Sequence, residues 1–254
     1  MNGPDNLLIS SLPRAERTRL LALCEPVQLA LAEVLCEAGQ VTRYVYFPTS
    51  SFISLIAEVD AQHGLEVGMA GREGMLGEHL LLGVVREPMK ALVQGAGIAL
   101  RVAAAPFRRE LDNNAALRER LLKYLYVLMA QRTMSAACLR FHEIGPRLSR
   151  WLLMSQDRAG SANFPMTQEF VSSMLGVRRV GVTAAAGSLQ RRGLIRYHRG
   201  DLTVLDRAGL MQASCSCYAA CEQIYQYNMG AAGTSLPDRS QARISERAAR
   251  RVVQ

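Results

Sequence analysis

The chain has 254 residues, 49% hydrophobic and 20% charged, a globular composition that excludes a wholly disordered protein. It holds no run of eighteen uncharged apolar residues, and Met1 to Ser10 carries Asp5 without Lys or Arg, so neither a spanning helix nor a secretory signal is expected and the cytoplasm is the expected compartment. The net charge of +8 is uneven: residues 1–140 carry 15 basic and 14 acidic side chains, residues 141–254 carry 15 and 8, so a polyanion-binding surface is to be sought in the second half.

Residues 13–23 read as a short helix, with Ser11 before it, Pro13 in its first turn, and Leu20 and Leu23 facing one way. From Val27 the period becomes two. Val27, Leu29 and Leu31 alternate with Gln28 and Ala30, and strand patterns follow over 43–47, 52–56, 65–69, 91–93 and 98–102. Glycines separate them, and short strands so punctuated predict an antiparallel sandwich or barrel over about 25–105.

Residues 106–140 lack internal Gly and, beyond the first turn, Pro. Leu111, Leu117, Leu121, Leu125, Leu128 and Met129 recur near helical spacing, so one long amphipathic helix is expected. Its stripe needs a cover, either the β domain or the same helix of a second subunit, and both are expected. A further helix runs through 147–156, Asp157 to Ser161 reads as a loop, and the tail after Gly230 as an Arg-rich mobile segment.

Residues 164–206 carry the functional signal. Thr167 is an N-cap candidate for a helix over Gln168 to Leu175 that closes at Gly176. Val177 places an apolar side chain in the turn. A second helix over about 178–192 ends at Gly193. Two helices of this length around a glycine turn make a helix-turn-helix, whose second helix enters the major groove by its N-terminal end. Arg178, Arg179 and Thr183 lie at that end, and Arg pairs bidentately with guanine. Period two resumes at Ile195 and Tyr197, with Gly200-Asp201 as a hairpin turn before Leu202 and Val204: a wing. Between 164 and 200 six arginines face one acid, Glu169, and Thr167, Gln168, Arg192, Arg196 and Arg199 are phosphate or wing candidates.

The six cysteines need not form a disulfide framework in a cytosolic chain. Cys215, Cys217 and Cys221 form the only dense group. Cys217 and Cys221 would share a helix face, and without an evident fourth ligand the group reads as core packing, a metal or redox site being the alternative. The spacing of Cys24 and Cys36 supports no iron–sulfur cluster, and no His pattern supports haem. No nucleophile elbow, phosphate loop or zinc-protease motif is present, so no catalytic residue is assigned and an enzyme is not expected.

The segment Thr167-Gln168-Glu169-Phe170 … Met174-Leu175-Gly176-Val177-Arg178-Arg179 … Val182-Thr183, following a β domain and a long helix, resembles the Crp/Fnr family of bacterial transcription regulators over about residues 10–225. The resemblance implies an α+β protein. It would have a cyclic-nucleotide-binding-like jelly roll (10–105), a long dimerisation helix (106–140), a winged helix-turn-helix (141–228) and the tail (229–254). It implies a homodimer on a palindromic site in double-stranded DNA, with RNA polymerase as a partner and a small-molecule effector in the β domain. Arg179 falls on the family's base-contacting Arg, and Thr167 and Gln168 on its phosphate-contacting helix start. Val180 and Ala184 stand where other members have a cytosine-reading Glu and a second Arg. Gly77 and Glu78 match the Gly-Glu pair of the nucleotide cassette, whose Glu binds the ribose. Met89 and Lys90 replace its phosphate-binding Arg-Ser pair, so cyclic AMP is not the expected ligand. A ligand- or redox-sensing module acting through protein partners is the alternative reading.

Overall fold

The computed structural model describes residues 5–60, 64–198 and 200–230. Two short helices, α1 (Leu7–Ser10) and α2 (Arg14–Ala22), precede seven strands: β1 (Glu25–Leu29), β2 (Val34–Cys36), β3 (Tyr44–Pro48), β4 (Phe52–Glu58), β5 (Gly64–Ala70), β6 (Lys90–Gly95) and β7 (Gly97–Ala103). They pair antiparallel in two sheets, ordered β1-β7-β3 and β2-β6-β4-β5. Alternation sorts the side chains. On β3, Tyr46 joins Leu29, Ile53, Leu55, Ala91, Val93 and Ala99 between the sheets. Its neighbours Val45 and Phe47 point the other way, into a second core with Phe107, Leu117, Leu121 and Tyr124. The first sheet is therefore covered on one face by strands and on the other by helices.

The single helix expected over 106–140 is two: α3 (Ala104–Asn113) and α4 (Ala115–Phe141). Asn114 leaves the helical region (φ −137°, ψ 89°) and its side-chain oxygen accepts the N–H of Leu117 at 3.0 Å. A capping Asn thus restarts the helix where hydrophobic periodicity alone reads straight through. Helix α4 buries Leu117, Leu121, Tyr124, Leu125 and Leu128, while Met129, counted in the same stripe, is exposed on the far side.

Helix α5 (Ile144–Ala159) includes residues 157–159, expected as loop. Asp157 is held by Arg207 at 2.7 Å and by the Tyr218 hydroxyl at 2.8 Å, so tertiary partners carry the last turn to Gly160. Then come β8 (Asn163–Pro165), α6 (Gln168–Leu175), α7 (Arg179–Arg191), β9 (Ile195–His198), β10 (Asp201–Val204), α8 (Arg207–Ala213) and α9 (Cys217–Met229). The wing is a three-stranded sheet, β8-β10-β9. His198 pairs with Asp201, so β10 begins at Asp201, one residue earlier than the sequence suggests. Gly200, at φ +87°, supplies the hairpin's positive-φ position.

Ile56 of β4 and Met69 of β5 join the core of the winged unit, with Leu148, Trp151 and Leu152 of α5, Val171 and Leu175 of α6, and Val182 and Leu189 of α7. No helix among the described residues is long and apolar enough to cross a membrane. Residues 231–254, read as a mobile tail, lie outside the described residues.

Candidate nucleic-acid interface

The Thr167 hydroxyl accepts the N–H of Phe170 at 3.1 Å, fixing the start of α6. Gly176 ends α6 in the left-handed region (φ +61°), and Val177 packs into the core under the turn. These choices set α7 against α6. Val182, Ala186 and Leu189 of α7 are buried, and the opposite face carries Arg179, Val180, Thr183, Ala184, Ser188 and Arg191, all exposed. Arg178 is the N-cap residue of α7 and is also exposed.

Thr183 and Gln168, assigned to base and phosphate respectively, are brought together: the Thr183 hydroxyl donates to Oε1 of Gln168 at 2.6 Å and also lies 3.0 Å from the carbonyl of Arg179. Arg192 is the exposed C-cap residue of α7, and Arg196 stands exposed on β9. Arg199 lies outside the described residues. Gln168 of α6 and Thr183 of α7 therefore meet on one surface that includes the exposed start of α7. It can take polyanionic backbone beside a helix of groove-compatible width.

The four effector-pocket candidates go to different surroundings. Gly77 adopts φ +100° and opens a 3-10 turn, Glu78–Leu82. Glu78 is 3% exposed and its Oε1 accepts from Arg132 of α4 at 2.6 Å, while Oε2 has no partner among the described residues. Met89 is buried between the sheets with Tyr46, Ile53 and Leu76. Lys90 is drawn out to Glu37 (3.4 Å) and Glu58 (3.7 Å). An apolar Met prefers the inter-sheet core and an ammonium prefers surface carboxylates, so the pair that replaces Arg-Ser does not converge on Glu78. A separate cleft of about 770 Å³ opens along residues 38–44, with Arg43 and Arg86 on its wall and none of these four in its lining.

Three features escaped the sequence reading. Glu78 and Arg132 are 54 residues apart, and nothing local announces their pairing. Trp151 of α5 donates its indole N–H to Glu66 of β5, tying the winged unit to the β domain. Helices α8 and α9 bring Cys215 and Cys217 to the end of α4.

Residues 146–213 match the Crp-like helix-turn-helix domain. In fold, the chain is similar to the c-di-GMP-responsive global regulator CLP of Xanthomonas campestris, with a TM-score of 0.62 at 16% identity over 76% of this chain and 99% of that one. It is also similar to a CRP-family transcriptional regulator of Thermus thermophilus (TM-score 0.60, 20% identity, 74% and 96% covered) and to FixK2 of Bradyrhizobium japonicum (0.57, 13%, 76% and 98%). No curated protein matches the chain in sequence. The arrangement of β sandwich, long helix and winged unit is the fold of the Crp/Fnr transcription regulators, and the C-terminal unit is their kind of helix-turn-helix domain. The chain thus carries a Crp-like helix-turn-helix domain on that fold.

Proposed function

We propose that the protein is a homodimeric regulator that reads a palindromic operator in double-stranded DNA, one α7 per half-site. The observation that carries this reading is the outward face of α7. Arg179, Val180 and Thr183 are presented to solvent by a helix whose other face is locked in the core. In this reading Arg178, Arg179 and Thr183 reach base edges, with Val180 beside them as an apolar contact, and Thr167, Gln168, Arg192, Arg196 and Arg199 position the phosphates. Residues 10–105 form the sensing or supporting domain, 106–140 the dimerisation segment, 141–228 the DNA-binding domain and 229–254 a basic tail. RNA polymerase is the downstream partner of such a regulator.

Classical cyclic AMP is not the ligand expected of this β domain. Met89 is buried between the sheets and Lys90 pairs with Glu37 and Glu58, so the two residues that replace the Arg-Ser pair offer no guanidinium. The loss of such a charge-assisted partner costs about 2–5 kcal/mol.

Selection of bound DNA from a random pool tests the reading. A two-fold symmetric consensus is expected, with affinity falling steeply as salt rises through counterion release. Binding without sequence preference, or an unsymmetric consensus, would overturn it. Repeating the selection with cyclic AMP present should leave the consensus and the affinity unchanged.

A further inference from the structure

The side chains of Cys138, His142, Cys215 and Cys217 come from three places in the chain and converge on one point. Cys138 lies in the last turn of α4 and His142 is the C-cap residue of that helix. Cys215 lies in the connection between α8 and α9, and Cys217 is the first residue of α9. The Cys138 and Cys215 sulfurs are 3.5 Å apart, and the Cys217 sulfur is 3.6 Å from Nδ1 of His142. All four ligand atoms lie within 4.8 Å of one another.

Those separations have a chemical meaning. A tetrahedral zinc ion with Zn–S near 2.3 Å and Zn–N near 2.0–2.1 Å holds its ligand atoms about 3.8 Å apart for two sulfurs and about 3.6 Å for sulfur and nitrogen. Ordinary packing of cysteines as small apolar side chains requires no such convergence and no imidazole nitrogen turned into the group. The three sulfurs are free thiols, all three cysteines are buried, and Met134 packs against them.

We propose that Cys138, His142, Cys215 and Cys217 form a structural zinc site that staples the end of α4 to the start of α9. Three thiolates and a neutral imidazole around Zn²⁺ leave one net negative charge. Arg147 and Arg150 of α5 stand close enough to interact with these thiols electrostatically, so the excess charge has counterions beside it. The ligand set is closed, with no position left for substrate, which marks the site as structural rather than catalytic. Its place in the fold gives it a mechanical role. Leu210 of α8 and Tyr218 of α9 are anchored in the core of the winged unit, so a metal bridging α4 and α9 fixes the long helix to that unit across the α4–α5 junction. Cys221, one turn further along α9, lies outside the group and contacts Arg150 Nη2 at 3.8 Å instead.

The test uses the full chain purified under reducing conditions. Elemental analysis is expected to find about one zinc per chain, as a four-ligand site of this kind binds one ion. The Cys215→Ser/Cys217→Ser double variant should lose it, and Cys221→Ser should keep it. Because loss of two ligands can also unfold the junction, the unaltered chain is loaded with Co²⁺ as a second measurement. The intense visible absorption of tetrahedral, thiolate-bound cobalt is expected, and it should disappear on titration with Zn²⁺. The proposal is overturned if the unaltered chain takes up neither ion, if the double variant retains zinc as well as the parent, or if the isolated protein holds a Cys138–Cys215 disulfide and no metal. None of these readouts depends on DNA binding, so failure here leaves the operator-reading proposal standing, and the reverse also holds.

Discussion

Trp151 of α5 donates its indole N–H to Oε1 of Glu66 in β5 at 2.8 Å, while Ser54 of β4 donates to the other carboxyl oxygen at 2.6 Å. A single carboxyl therefore joins the two sheet strands to the winged unit. Removal of water at this seam pushes the Glu66 carboxyl up to about 7, against the opposing pull of the Ser54 and Trp151 hydrogen bonds and of the charges on Arg158 and Arg150. The folded state then holds the proton more tightly than the unfolded chain. The stabilisation is complete below the ordinary value of 4.5 and is lost as pH rises through about 7. Between those limits Glu66 should contribute at most about 3 kcal/mol of falling stability, less where water reaches the carboxyl. Denaturant unfolding at pH 4.5, 6 and 8 would measure it. Glu66→Gln, which keeps an oxygen for Trp151 but cannot titrate, should lose less stability over this range than the parent; equal losses would remove Glu66 as the cause.

Arg179→Ala should weaken binding to the selected operator by about 1–3 kcal/mol and relax discrimination at one base pair of each half-site. Arg196→Ala, on the wing, should weaken specific and non-specific DNA alike and reduce the salt dependence. Fluorescence anisotropy titrations against operator and scrambled duplexes separate the two patterns. Thr183→Val adds a third comparison, because it removes the hydroxyl that donates to Gln168. If that bond holds Gln168 in place for a phosphate, Thr183→Val lowers affinity for scrambled DNA too, which a residue contacting bases alone would not do.

The parts of the fold written in local sequence were legible. Thr167, Gly176 and Gly193 mark the limits of α6 and α7 because caps and positive-φ glycines act on their immediate neighbours. Six of the seven strands of the β domain followed from period two, and β2 (Val34–Cys36) did not. Four kinds of feature were not legible. A capping Asn114 inside an apolar stripe split the long helix, and Asn side-chain chemistry does not register in a hydrophobic pattern. Residues 157–159 are helical because Arg207 and Tyr218 hold Asp157 from afar. The effector-pocket candidates were aligned by motif, but their side chains follow solvation: Met89 inward, Lys90 outward, and Glu78 to an arginine on another element. The cysteine group lacked its remaining ligands in sequence because Cys138 is 77 residues from Cys215.

Gly176 offers a test of the turn that orients α7. Its φ of +61° is strained for any residue with a Cβ, and a Cβ there would come within 2.9 Å of Cδ1 of Leu65 in β5. Leu65 can rotate its methyl away, so the backbone term dominates. Gly176→Ala should cost about 1–2 kcal/mol of unfolding free energy, and Gly176→Asn less, since Asn tolerates this region better. Thermal or urea unfolding gives both values. An alanine variant as stable as the parent would mean that the turn relaxes out of the left-handed region and that α7 is not held as described.

The outward face of α4 tests the dimer. Leu122, Tyr126 and Met129 are 38%, 59% and 60% exposed, and Thr133 and Ala136 continue the row at steps of four and three residues. That is the spacing of a coiled-coil seam, on the side of the helix opposite the residues packed against the β domain. Apolar side chains left in water by the fold of one chain gain about 1.5–3 kcal/mol each when covered, and in a two-fold seam every contact occurs twice. Met129→Asp places two carboxylates face to face in that seam. Sedimentation velocity should show the parent as a dimer and Met129→Asp shifted at least about a hundredfold toward monomer, a change of about 3 kcal/mol. A monomer that has lost its second half-site contact should also lose most of its operator affinity, and at protein concentrations low enough to dissociate the parent as well, its melting temperature should match the parent's, because residue 129 is solvent-exposed in the isolated subunit. Unchanged dimerisation would place the subunit contact elsewhere, and a lower melting temperature at low protein concentration would show that Met129 serves the subunit's own core instead.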